Sequence, residues 1–225
     1  MTPVVRRAAK PWSRNPTPGI AVLVVGIAAA LFLGMTAAIL FFPAFQDIDE
    51  RISGAIRSVE APGFVTIAEF FTTLGSGVVM ASLTVVGVAV LLLKRWPAEA
   101  ILLALTMAVG TTAGSVLKQL IDRARPGIEV ARIPVPESYS FPSGHALAAL
   151  LFFGILAFLA FVRAREVSVK FGGIVACTIL ALGVALSRVY LGVHFLGDVI
   201  ASWLLGSALL TAFAGGYVWW VTRRE

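Results

Sequence analysis

Six long apolar runs govern what this chain can become. They fall at Ile20–Phe42, Gly77–Leu93, Ala98–Leu117, His145–Val162, Gly172–Ser187 and Val199–Val221. Each lies near the roughly 20 residues that an α-helix needs to cross a bilayer, the second and fifth being the shortest. Hydrocarbon offers backbone N–H and C=O groups no partner, so such a segment must pair them within itself, as helix. The expected fold class is an all-α integral membrane protein: a six-helix transmembrane bundle forming one membrane domain over residues 1–225. Charge agrees, since only 13% of residues are Asp, Glu, Lys or Arg, against about 25% where water wets the whole surface.

A net charge of +6 could suggest nucleic acid. The Lys and Arg residues instead sit at the ends of apolar runs, as cytoplasmic anchors do, so no nucleic-acid partner is expected. The single cysteine, Cys177, lies inside an apolar run, cannot form an intrachain disulfide and is expected to be inert and buried. The first run follows Arg6, Arg7, Lys10 and Arg14, as a signal peptide would. It is longer than a usual signal core and lacks a clear cleavage site, so a retained helix is expected.

Positive charge also orients the bundle. With both termini inside, the cytoplasmic side holds Arg6, Arg7, Lys10, Arg14, Lys94, Arg95, Arg163, Arg165, Lys170, Arg223 and Arg224. The other side holds Arg51, Arg57, Lys118, Arg123, Arg125, Arg132 and Arg188, a bias of 11 against 7. The segment 43–76 carries Ile48, Ile52, Ile56 and Val59 at helical spacing among charges. It is expected to be a short amphipathic helix at the outer interface, between helices one and two. Gly110 and Gly114, and at the start of the last helix Gly197 with Ala201 and Ser202 with Gly206, are spaced for close packing within the bundle. Trp219 and Trp220 beside Arg223 are expected to anchor an interface.

Three polar constellations break the apolar pattern, all on the same expected side: Lys118 with Arg125-Pro126; Pro142-Ser143-Gly144-His145; and Ser187-Arg188, His194 and Asp198. Ionisable groups at a bilayer are costly and mark function. Lys118, Arg125 and Arg188 outnumber nearby carboxylates, and such a set suits an anion. Arg supplies a planar fork for phosphate oxygens and Lys a mobile charge. Ser143 and Gly144 open a helix, whose N–H groups and dipole favour the same ligand. Ser143 is also expected to cap that helix.

His194 and Asp198 are four apart, which on a helix places them on one face. Asp198 could then accept one imidazole proton and leave the other nitrogen free as a nucleophile. His145 is suited to protonate a leaving oxygen and later activate water. With two histidines in the chain and no carboxylate cluster beside them, no metal or other cofactor is expected. Asp122 and Arg123 read as a solvated local pair. The 127–141 loop reads equally as a gate for lipid or as a plain connection.

These residues resemble the signature of the type 2 phosphatidic acid phosphatase (PAP2) superfamily: KxxxxxxRP, then PSGH, then SRxxxxxHxxxD. Lys118, Arg125, Pro126, Pro142, Ser143, Gly144, His145, Ser187, Arg188, His194 and Asp198 match every specified position within 118–198. The resemblance implies a six-helix core, phosphohistidine chemistry at His194 and acid–base work by His145. It also implies a lipid phosphate substrate, such as a polyprenyl (undecaprenyl) diphosphate, phosphatidate or phosphatidylglycerophosphate. The expected setting is the inner membrane, with the site facing the periplasm or exterior and the polyprenyl substrate ranked first. Alternatives are a phosphotransferase using the same histidine, a vanadate-dependent haloperoxidase, disfavoured by six spans, and a non-enzymatic lipid-binding or transport protein.

Overall fold

The computed structural model describes residues 18–223, so Arg6, Arg7, Lys10, Arg14 and Arg224 lie outside the described residues. Within these, every regular element is helical: α1 (Pro18–Phe41), α2 (Pro43–Arg57), α3 (Phe64–Leu74), α4 (Gly77–Leu93), α5 (Pro97–Ile121), a short 3-10 turn at Ile128–Val130, α6 (Gly144–Arg163), α7 (Val167–Tyr190) and α8 (Leu196–Thr222). Five helices are long and apolar enough to cross a membrane. Counting α3 and α4 as one span, bent by 53°, gives six.

That bent pair corrects the expectation for 43–76, which holds two helices rather than one. The break falls at Gly75-Ser76, where the Ser76 side chain accepts the Val79 N–H and starts α4 afresh. The long helices also run past their expected ends. α5 continues through Lys118 to Ile121, and α7 begins at Val167. Polar residues near an interface do not end a helix while backbone pairing continues; α5 stops only where Asp122 turns left-handed, at φ 43°.

α6 is the central post, packed against α5, α7 and α8. Its Ala146, Leu147, Ala149, Leu151 and Ile155 are almost wholly buried. Gly110 brings α5 onto this post: a methyl group there would lie 2.0 Å from Leu151 Cδ1. The glycine spacing therefore serves packing within the bundle, as expected. Cys177 is half-buried on α7 rather than fully enclosed. At the end remote from the motifs, buried Glu99 accepts a hydrogen bond from the Tyr217 hydroxyl at 2.6 Å and pairs with Arg163. Arg223 stacks on Trp219 at 4.1 Å.

α2 has the expected two faces, but they point in an instructive way. Ile48 and Ile52 are 52% and 45% exposed, while Asp49, Ser53 and Arg57 are buried. An apolar face turned outward fits lipid, and the polar stripe is left to face the protein. That stripe lies against the end of the bundle where the motifs gather.

Candidate active site

The first motif builds a brace around the loop that precedes α6. Lys118, on the last turn of α5, donates through Nζ to the Tyr139 carbonyl at 2.6 Å and to the Ser140 carbonyl at 3.4 Å. Arg125 donates Nε to the Ser138 carbonyl at 2.6 Å, Nη1 to the Val193 carbonyl at 2.6 Å and Nη2 to Tyr139 O at 3.2 Å. The 127–141 loop is therefore more than a plain connection, because its end is held by both cations of the motif.

His194 sits in the turn between α7 and α8, not on a helix. α8 starts at Leu196, with Phe195 as its N-cap. Spacing alone cannot separate a helical i, i+4 pair from a turn that folds back onto the first helical turn, and here the turn makes the contact. The Arg188 carbonyl accepts both Val193 N–H and His194 N–H at 3.2 Å, fixing the backbone. The imidazole is 1% exposed. Its Nδ1 lies 3.3 Å from Asp198 Oδ2 and 3.4 Å from Ser140 Oγ, and its Nε2 lies 3.1 Å from Arg125 Nη1. A guanidinium can only donate, so these partners assign the proton to Nδ1 and the lone pair to Nε2. Burial lowers the imidazole to about 3; Asp198 opposes this, while Arg125 and Arg188 add to it. His194 is thus a neutral, oriented imidazole at ordinary pH.

The second motif starts α6. Ser143 occupies the N-cap position, yet its side chain makes no cap bond. This corrects the expected capping role. Its buried Oγ has no partner among the described residues, and neither does buried Arg188 Nε. Buried polar atoms are nearly always paired; of the four such atoms left without a partner among the described residues, these two belong to the motifs, and the others are Arg57 Nη1 and Trp203 Nε1. Arg188 donates Nη1 to Thr72 of α3. His145 lies beside Gly75 at the α3–α4 break, within electrostatic range of Arg188, His194, Arg125 and Lys118. His145, Gly144 and Lys118 line the end of a groove of about 960 Å³ between α4, α5 and α6, whose apolar walls continue to Leu92.

Motif residues from four helices and two loops therefore meet at one end of the bundle. The groups gathered there are a neutral imidazole with its Nε2 lone pair turned to Arg125, a second histidine and three cations, next to an apolar trough.

Sequence reasoning missed several contributors. Arg123 is no solvated partner of Asp122. Its Nη1 lies 2.6 Å from Asp198 Oδ1 and its Nη2 2.8 Å from Asp49 Oδ2. Ser140 donates its hydroxyl to Asp198 Oδ2. Thr72 and Ser53 were also unremarked. The available signal was the four-residue polar spacing of Asp49, Ser53 and Arg57 opposite Ile48 and Ile52.

Residues 99–223 match the sequence profile of the PAP2 superfamily. The chain belongs to this superfamily. It is 30% identical to phosphatidylglycerophosphatase B of Bacillus subtilis over 82% of this chain and 91% of that protein. It is 37% identical to an undecaprenyl-diphosphatase of Sulfolobus acidocaldarius over 52% of this chain and 54% of that one. Among solved structures, it is similar to the transmembrane PAP2-type phosphatidylglycerolphosphate phosphatase from Bacillus subtilis. The TM-score there is 0.78 at 30% identity, covering 89% of this chain and 98% of that chain. Aquifex aeolicus LpxE shares the fold, with a TM-score of 0.56 at 22% identity over 72% of this chain and 92% of its own. With its apolar helices and this transmembrane PAP2 neighbour, the chain is a multi-pass membrane protein.

Proposed function

We propose that this PAP2 protein removes the terminal phosphate of a lipid phosphate or diphosphate through a phosphohistidine at His194. The observation that carries the proposal is the state of that imidazole, with Nδ1 turned to Asp198 and Nε2 to Arg125. In the first step Nε2 attacks phosphorus and the bond to the leaving oxygen breaks. Arg125 exchanges its contact with Nε2 for a phosphoryl oxygen. Lys118, Arg188, the Ser143 hydroxyl and the Gly144 N–H supply the other donors, stabilising charge as it spreads over the phosphoryl oxygens. His145 gives its proton to the leaving oxygen; bound phosphate charge favours the imidazolium that this step needs. Water, deprotonated by His145, then attacks the phosphohistidine and frees inorganic phosphate and His194.

The groove running from His145 and Lys118 to Leu92 fits a hydrocarbon chain, which supports a lipid rather than a soluble phosphate ester. Polyprenyl diphosphate is ranked first, because a site facing the exterior suits recycling of a carrier lipid. The relative from Sulfolobus acidocaldarius supports that class. Phosphatidylglycerophosphate, supported by the longer match to the Bacillus subtilis phosphatase, and phosphatidate come next. The charge bias supports cytoplasmic termini and an outward site, and the inner membrane is the setting proposed with them. Phosphate release from these three lipids, compared side by side in detergent, tests the ranking; equal rates on all three overturn it.

A leaving-group test addresses His145. An alkoxide leaving from a monoester needs protonation far more than a phosphate leaving from a diphosphate. His145→Ala is expected to slow phosphatidate hydrolysis by about 10²–10⁴-fold. Diphosphate hydrolysis should fall much less, and equal losses on both substrates would contradict the acid role. Orthovanadate, which adopts the five-coordinate geometry of the transferring phosphorus, is expected to bind about 10²-fold or more tighter than substrate. Competitive inhibition assays with and without a chelator check this, and the chelator is expected to leave the rate unchanged.

A further inference from the structure

Asp198 has more partners than its service to His194 requires. Oδ1 accepts from Arg123 at 2.6 Å. Oδ2 accepts from Ser140 Oγ and from the Phe195 N–H, and it stands 3.3 Å from His194 Nδ1. Hydrogen bonds between an ionised donor and a carboxylate run to about 2.7–2.9 Å. The contact to Arg123 is at least that short, while the contact to the neutral His194 is longer. Oδ1, the oxygen turned away from His194, is the one that Arg123 holds.

Arg123 is itself held on three sides. Its other nitrogen reaches Asp49 Oδ2 at 2.8 Å, and its guanidinium lies over the Phe195 ring at 4.3 Å. Asp49 accepts the Gly197 N–H through Oδ1 at 2.9 Å, and Ser53 accepts the Leu196 N–H at 2.9 Å. The polar stripe of α2 thus caps the start of α8, where free N–H groups and the helix dipole welcome a carboxylate. Only a glycine allows this approach, since a methyl at Gly197 would lie 2.6 Å from Asp49 Oδ2.

We propose that Arg123 and Asp49 are positioning residues for phosphoryl transfer: they lock the Asp198 carboxylate so that Oδ2 faces His194. The interfacial helix α2 is thereby a working part of the site and not only a membrane rest. The inference rests on the proposed His194–Asp198 pairing. Neither residue belongs to the phosphate cradle, so their loss should act on turnover rather than on substrate binding.

Kinetics with phosphatidate in detergent test this, using Arg123→Lys, Asp198→Asn and the double variant. Arg123→Lys keeps the charge, so it avoids leaving two unpaired buried acids, but it cannot span both carboxylates. It is expected to lower kcat about 10- to 100-fold, as loss of an orienting partner behind a histidine does. KM should stay within about twofold. In the Asp198→Asn background the same change should cost less than about threefold, because the carboxylate it aims is already gone.

Equal losses in both backgrounds would mean that Arg123 only supports the fold, and an unchanged kcat would mean that it does nothing; either overturns the inference. Should Arg123→Lys not fold, Asp49→Asn carries the same cycle. It keeps an oxygen for the Gly197 cap but removes the charge that holds Arg123. Wild-type turnover by Asp198→Asn alone would instead sink the His194–Asp198 pairing, and that failure is distinct from failure of the cycle.

Discussion

His194→Ala is expected to lower kcat by about 10⁴-fold or more, the scale seen when a nucleophile is removed from a group of residues that act together. The fold should tolerate the change. Asp198 keeps Arg123, Ser140 and the Phe195 N–H as partners, so deletion of the ring leaves no orphaned carboxylate. The loss should therefore be chemical, with helical content and detergent-extracted yield close to those of the parent. Rapid acid-free quenching of the parent with phosphorus-labelled substrate should trap a phosphoryl group on the protein that is stable to base and labile to acid, as expected for phosphohistidine. His194→Ala should trap none. Substantial turnover by the purified variant, or a trapped adduct in it, would show that another group attacks phosphorus. Burial keeps the imidazole neutral down to about 3, so the free-enzyme acid limb of kcat/KM between pH 5 and 8 should not report titration of His194.

The three motifs were legible because they violate their surroundings. A lysine, arginines and histidines cannot sit beside a bilayer without a reason, and their residue types suit an anion before any geometry is known. The six-span pattern was legible for the same reason, as backbone pairing in hydrocarbon leaves few alternatives. What escaped was geometry carried by long-range contacts. Arg123 meets Asp198 and Asp49 across 75 and 74 residues of sequence, and nothing local in Asp122-Arg123 announces this. α2 was legible only in part. Its spacing shows two faces, but not that the polar face goes to protein rather than water, as Asp49 and Ser53 do. The break at Gly75-Ser76 was equally hidden, because Phe64–Leu74 is apolar enough to pass as loop-flanking interface sequence while α4 alone covers only 17 residues.

Arg125→Ala is expected to produce the other large loss, about 10³-fold in kcat/KM, from removal of one preorganised donor to the phosphoryl oxygens together with loosening of what it holds. The structure gives Arg125 two separable duties. Through Nε, Nη1 and Nη2 it ties the Ser138, Val193 and Tyr139 carbonyls, joining the loop before α6 to the turn that carries His194. Through Nη1 it also faces His194 Nε2 at 3.1 Å, where phosphorus arrives in the proposed mechanism. Arg125→Lys separates these duties. A lysine restores one positive charge near phosphate but lacks the planar fork needed for three carbonyls in different directions. If electrostatic stabilisation dominates, Arg125→Lys should recover most of the lost rate and bind orthovanadate nearly as tightly as the parent. If the brace dominates, Arg125→Lys should stay close to Arg125→Ala in rate, with vanadate affinity weakened in both. The geometry favours the second outcome, because three of the contacts of Arg125 are carbonyls and Lys118 already places a mobile ammonium at Tyr139 O. Another point charge adds little where one exists, whereas the fork has no substitute. Full activity of Arg125→Ala on phosphatidate would remove Arg125 from the site and with it the assignment of Nε2 as the attacking atom.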